Sequence, residues 1–186
     1  GAPVVITGRV ADPSLFLACM LHGLDWSYDD YPRLAAGTLV GHLMECSNQL
    51  TGGCFADPGK KDVEDMARIG FPFADVDRDG GIVLGKVDGS GGRLDEMTCK
   101  EQLVYEIHDP TSYITPDCVL DITDVEFRQE GKDRVRAIGA KGRPRTPFCG
   151  SIAAGPGRSA RAPRTCRSGG TGGKARGDVA SCAPGS

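Results

Sequence analysis

Pro3-Val4-Val5-Ile6-Thr7-Gly8-Arg9-Val10-Ala11-Asp12-Pro13-Ser14-Leu15 is the stretch whose reading decides the fold. Its β-branched run ending in Thr7-Gly8 reads as a short buried strand closed by a turn. Asp12-Pro13 reads as a helix start, with Asp12 as N-cap and Pro13 at the first helical position, where no N–H is needed. Leu15-Phe16-Leu17-Ala18-Cys19-Met20-Leu21 follows, apolar enough to predict a helix covered on most sides. Strand, glycine turn and helix make half of a βαβ unit. Ligands of open α/β sheets gather beyond the C-terminal ends of such strands. Gly8, Arg9 and Asp12 would lie there.

Working outward, Ala35, Leu39, Leu43, Cys46 and Leu50 recur at spacings of three and four, which predicts a second helix over 33–49. Gly37 and Gly41 stand one turn apart in it and would admit another backbone. Thr38, His42, Glu45 and Gln49 form a polar stripe, either solvated or lining a cleft. The pattern next predicts a short helix over 63–69, then strands at 73–76 and 82–84 joined through Asp79-Gly80, a favoured hairpin pair. Thr98 and Glu101 have capping-box spacing and predict a helix from Glu101 to about His108, stopped by Asp109-Pro110. An extended segment over 113–122 and a hairpin around Gly131-Lys132 complete the reading. The expected class is α/β, an incomplete domain of short parallel or mixed strands, helices and β-hairpins.

Charge separates the two ends of the 186 residues. The net charge is −11 up to Ala140 and +8 from Lys141 on, within a total of −3. An acidic body argues against nucleic acid as partner, since phosphate binding needs a basic surface. No apolar run approaches the roughly 20 residues of a membrane helix. The eight cysteines form no C-x-x-C pair, which disfavours a zinc site and suits a reduced, cytoplasmic setting. Of residues 149–186, 24 are Gly, Ala, Arg or Pro, and none is aromatic. Such a tail cannot bury enough apolar surface to offset its ordering entropy, so disorder is expected. Those residue types also have GC-rich codons, as an out-of-frame reading would give. The domain proper is therefore placed at 1–148.

Three groups of residues invite a chemical reading. Asp75-Val76-Asp77-Arg78-Asp79-Gly80 begins like a calcium loop, but Lys86 stands where the twelfth-position carboxylate belongs, so an acidic hairpin turn is preferred. His42 and Glu45 lie one turn apart and suit an acid–base pair, although two ligands do not make a metal site. The glycine-rich loops over 51–59 and 88–92 could offer backbone N–H groups to an anion. His22 and His108 sit at expected helix ends and carry no further assignment.

Several blocks together resemble a known family. They are Thr7-Gly8-Arg9-Val10-Ala11-Asp12-Pro13-Ser14, Gly37-Thr38-Leu39-Val40-Gly41-His42-Leu43-Met44-Glu45-Cys46, and Thr51-Gly52-Gly53 with Phe55-Ala56-Asp57-Pro58-Gly59. Lys100-Glu101-Gln102-Leu103-Val104-Tyr105-Glu106-Ile107-His108-Asp109-Pro110 and Gly139-Ala140-Lys141-Gly142-Arg143-Pro144 follow. Their order and spacing resemble the acyclic terpene utilisation (AtuA) family over about residues 1–147. The resemblance implies a bacterial cytoplasmic protein that serves catabolism of citronellol- and geraniol-type compounds through CoA thioesters. It also implies that this chain is the interior of a longer domain, in keeping with its start at Gly1 inside a strand.

Two functions are carried forward. The first is an enzyme acting on a terpenoid or acyl-CoA intermediate, with Asp12 or Glu45 as acid/base and Arg9 contacting an anionic group. Gly8, Gly52, Gly53 and Asp57 complete its expected ligand-binding set; no cofactor and no metal are assigned. The second is a non-catalytic binding or scaffolding subunit for acyl-CoA carboxylase or hydratase partners.

Overall fold

The helix Tyr31–Met44 (α2), not the opening stretch, is the element around which the chain folds. Every residue from Leu34 to Leu43 is buried, the polar Thr38 and His42 included. The computed structural model describes residues 4–145. The first helix, Asp12–Gly23 (α1), packs across one face of α2. Two glycines explain how closely. A Cβ on Gly41 would stand 2.4 Å from the Pro13 carbonyl oxygen and 2.6 Å from its Cα, and one on Gly37 would stand 2.5 Å from Leu17 Cδ1. The sequence's pair of glycines one turn apart is thus where the α1 backbone enters.

Asp30 caps α2, its side chain accepting the Arg33 N–H at 3.3 Å. Arg33 in turn donates to Asp30, to Asp79 and to the Arg78 carbonyl, which also receives the Trp26 indole N–H at 2.8 Å. These bonds tie α2 to the hairpin of Pro72–Val76 (β1) and Ile82–Lys86 (β2), whose turn holds Asp79-Gly80 as expected. Helix Glu96–Val104 (α3) follows, then the short strands Tyr113–Ile114 (β3) and Val119–Asp121 (β4). Glu126–Gly131 (β5), Arg134–Ile138 (β6) and Lys141–Arg143 (β7) complete the order. One sheet runs β1-β2-β6-β5 and the other β3-β4-β7. Leu84 faces Val135 and Ile82 faces Ala137 in the centre of the first. In the second, β7 presses on α2 so tightly that a Cβ on Gly142 would meet the Tyr31 carbonyl at 2.1 Å.

The mixture of helices, short strands and hairpins agrees with the expected class. Several local expectations do not hold. Val4, Val5 and Ile6 form no strand and are 74, 75 and 93% exposed; they belong to a separate unit from residues 8–145. Every strand pair in both sheets is antiparallel, so no βαβ unit forms among the described residues. Burial of α1 is confined to one face: Pro13, Leu17, Met20 and Leu21 are inside, while Leu15 and Cys19 are exposed. Asp12 is the first helical residue instead of the cap, which is Ala11. The segment 63–69 makes only a 3-10 turn at Met66–Arg68.

The third helix starts five residues early and ends at Val104. Its capping box is Asp95 with Thr98, the Asp95 carboxylate accepting the Met97 and Thr98 N–H groups. Thr98 serves as the third helical residue of that box, and the expected Thr98–Glu101 pairing does not occur. β7 went unanticipated because three residues containing Lys, Gly and Arg carry no strand periodicity. The expected tail at 149–186 lies outside the described residues.

Because the atoms facing Gly41 are main chain, alanine there has no flexible neighbour to displace. Gly41→Ala is expected to destabilise the protein by roughly 2 kcal/mol, despite a helix-propensity gain of about 1 kcal/mol. Gly37→Ala is expected to cost less, since the Leu17 side chain can yield. Urea unfolding of the two variants checks this; a Gly41→Ala protein more stable than the parent would contradict the close crossing.

Candidate functional site: a carboxylate pair at the α1–α2 crossing

The crossing brings together two residues 33 positions apart. Asp12 opens α1, and Glu45 is the residue directly after Met44, at the C-terminal end of α2. Gly41 lies one turn before Glu45, so the place where Pro13 touches α2 also sets Asp12 beside Glu45. Asp12 lies close enough to Glu45 to act on its ionisation. Asp12 is exposed, whereas the Glu45 side chain is only 11% accessible. Burial is the largest cause that pushes the Glu45 carboxyl up to about 7, followed by Asp12 and then by Glu106. Burial and the nearby negative charge together keep a proton on Glu45 up to about pH 7.

His42 closes the inner side of the pair. Its Nδ1 lies 3.3 Å from Glu45 Oε1, and the ring is 1% exposed. Burial lowers its pKa, against the raising influence of the Leu103 and Gln102 carbonyls and of Glu106. The Tyr113 ring meets the imidazole edge-on at 5.4 Å between centroids. Burial, with Glu45, Asp12 and Glu106 adding negative charge, pushes the Tyr113 phenol up to about 12, so it keeps its proton. Gln102, buried in α3, donates its amide to the His42 carbonyl at 3.1 Å. Cys46 lies beside Glu45 with its thiol raised, chiefly by burial. The arrangement is equipped for proton transfer: an exposed carboxylate, a protonated partner at its side and a neutral imidazole behind.

The other expected residues lie apart from this pair. Gly8 and Arg9 sit in exposed, irregular backbone four and three residues ahead of Asp12. The Gly52 and Gly53 N–H groups are already given to the Gln49 and Asn48 carbonyls, at 3.0 and 2.8 Å, which leaves them no free donor for an anion. Asp57 pairs with Lys60 and turns the chain back to Lys61. In the acidic hairpin turn, Asp77 accepts the Asp79 and Gly81 N–H groups, Asp75 pairs with Arg134, and Asp79 with Arg33. Among the described residues no group of three or more His, Cys, Asp or Glu side chains is arranged to hold a metal ion. No helix among them is long and apolar enough to cross a membrane.

Sequence reasoning picked out Asp12, His42 and Glu45 but missed Gln102, Glu106 and Tyr113. All three lie on α3 or after it, and their approach to α2 leaves no trace in spacing. Gln102 and Glu106 carried one faint signal, their place in the block shared with the family.

Comparison with known proteins now bears on this site. The family model for the acyclic terpene utilisation family protein AtuA matches residues 1–162. The chain belongs to the AtuA family. Membership carries a role in acyclic terpene utilisation, and the match takes in Asp12, His42, Glu45, Gln102 and Tyr113 alike. It also runs beyond the boundary at 148 that composition suggested. No curated protein and no solved structure matches the chain.

The raised Glu45 pKa fixes the sign of a pH effect. A carboxyl that rises from 4.5 to about 7 on folding stabilises the fold fully below pH 4.5 and loses that contribution as pH climbs through 7. The loss is on the order of 2 kcal/mol after allowance for partial exposure. Glu45→Gln, which mimics the protonated side chain, is expected to be more stable than the parent at pH 8 and no more stable at pH 4.5. Chemical unfolding at the two pH values checks it; equal shifts at both would contradict a buried, proton-holding Glu45.

Proposed function

We propose that this AtuA-family chain acts as an enzyme of acyclic terpene breakdown, moving a proton on a terpenoid or acyl-CoA intermediate. The observation that carries this reading is the Asp12–Glu45 pair, in which one carboxyl is held near pH 7 beside an exposed partner. A general acid or base works best when its pKa lies near the operating pH. Glu45 supplies the proton-holding member, and exposed Asp12 faces the substrate side. Arg9, exposed and close in sequence to Asp12, is the cation available for a carboxylate or phosphate of the substrate. The compartment in this reading is the cytoplasm.

A second reading, a non-catalytic subunit that binds acyl-CoA carboxylase or hydratase partners, draws on a different observation. Val10 and Leu15 flank Asp12 and are 41 and 60% exposed, so apolar surface borders the pair. The two readings separate on one experiment. Citronellol- and geraniol-derived acids and their CoA esters are screened by thermal shift, and ligands that stabilise the protein are then assayed for conversion. The enzyme reading expects Asp12→Asn and Glu45→Gln each to lower turnover by 10²–10⁴-fold with the fold intact. Unchanged turnover in Glu45→Gln would remove it from the mechanism and favour the scaffold.

A further inference from the structure

His42 is buried without being inert. Its Nε2 lies 3.1 Å from both the Gln102 and the Leu103 carbonyl oxygens, in the last turn of α3. Carbonyls of a final helical turn lack intrahelical donors, and a histidine commonly supplies one. A carbonyl oxygen only accepts, so Nε2 carries hydrogen. The Gln102 amide answers by donating to the His42 carbonyl at 3.1 Å, which clamps the two residues reciprocally. Nδ1 is thereby turned to the opposite side, toward Glu45 Oε1 at 3.3 Å. It has no hydrogen-bond partner among fixed donors in a ring 1% exposed. The donor that can satisfy a neutral Nδ1 there is the Glu45 carboxyl itself.

We propose that His42 is the positioning residue of the carboxylate pair, its neutral Nδ1 accepting a hydrogen bond from the protonated Glu45 carboxyl and fixing that carboxyl beside Asp12. This deepens the enzyme reading and rests on it for its catalytic meaning, although the hydrogen bond stands without any substrate. A charged alternative has Nδ1–H donating to ionised Glu45. That would bury an ion pair beside Asp12 and Glu106, and desolvation of both partners disfavours it. The groups facing the pair from the surrounding elements are Asp12 on α1, Cys46 after α2, Glu106 after α3 and Tyr113 on β3. Asp12 and Glu106 repel a second negative charge, and the neutral thiol and phenol leave the balance unchanged. A proton on Glu45 is therefore the state these groups jointly favour. The carboxyl keeps it by donating to Nδ1, or passes it through Asp12 to a substrate atom that takes up a proton, which leaves Glu45 ionised.

The full chain tests this directly. In the unmodified protein at pH 6, the ¹⁵N shifts of His42 are expected to show a pyrrole-type Nε2 and a pyridine-type Nδ1. The reverse tautomer, or an imidazolium, would overturn the proposal. H42Q keeps a donor for the α3 carbonyls and removes the acceptor facing Glu45. H42N keeps an acceptor near the Nδ1 position. The Glu45 titration, followed by its ¹³C carboxyl shift, is expected to fall by about one pH unit in H42Q and to stay near the parent value in H42N. An unmoved midpoint in folded H42Q would overturn the proposal, and the tautomer measurement decides alone if H42Q does not fold. Failure here leaves the enzyme reading standing. Full turnover in Glu45→Gln with the expected tautomer would defeat that reading instead.

Discussion

The contact on which the structure depends is the approach of the Pro13 main chain to Gly41. A Cβ at position 41 would lie 2.4 Å from a carbonyl oxygen, so the crossing of α1 and α2 requires glycine there. The same contact that packs the two helices also delivers Asp12 to Glu45. Stability and chemistry thus share one constraint: a residue that spoiled the crossing would separate the carboxyl groups as well. Proteins commonly keep a costly arrangement where it serves function, and a carboxyl held away from its ordinary pKa is such a cost.

Around this crossing the rest of the chain acts as a support. α2 is buried on all sides because α1, β7, β4 and α3 each cover part of it. Glycines mark where backbones come closest: Gly41 and Gly37 against α1, and Gly142 against Tyr31. The four-stranded sheet is linked to α2 through Trp26, Arg33 and the Asp79 turn, far from the carboxylate pair. Its buried lysine, Lys86, is held by Asp133 at 3.4 Å and by the Ser90 carbonyl at 2.9 Å, so the position that spoils the calcium-loop pattern ties a loop to the sheet. Function is concentrated where helices meet, and the sheets hold those helices in register.

The sequence disclosed these features unevenly, for physical reasons. Apolar spacing located α2 but ran it five residues past Met44, because Cys46 and Leu50 keep the spacing through the 3-10 turn Ser47–Gln49. Asp-Gly and Gly-Lys pairs located both long hairpins, because turn chemistry is local. The glycines of α2 announced a close approach but not its partner. Pairing of residues 12 and 45 is a tertiary fact, and nothing in the local spacing records it. The opening stretch misled because β-branched residues look alike in a strand and in exposed irregular backbone. Burial decides between the two, and sequence does not record it. The capping box was assigned to Thr98 because Thr fits both the cap and the third helical position. The true cap, Asp95, wins with two backbone N–H bonds.

One measurement addresses the central claim that the crossing makes Asp12 and Glu45 a single electrostatic unit. It is the double-mutant cycle of D12N and E45Q, read as unfolding free energy at pH 8, where both carboxyl groups are driven to ionise. The account predicts a coupling of about 1 kcal/mol, each substitution relieving the same repulsion, that disappears at pH 4.5. Additive effects at pH 8 would show that the two carboxyl groups do not meet, and would contradict it.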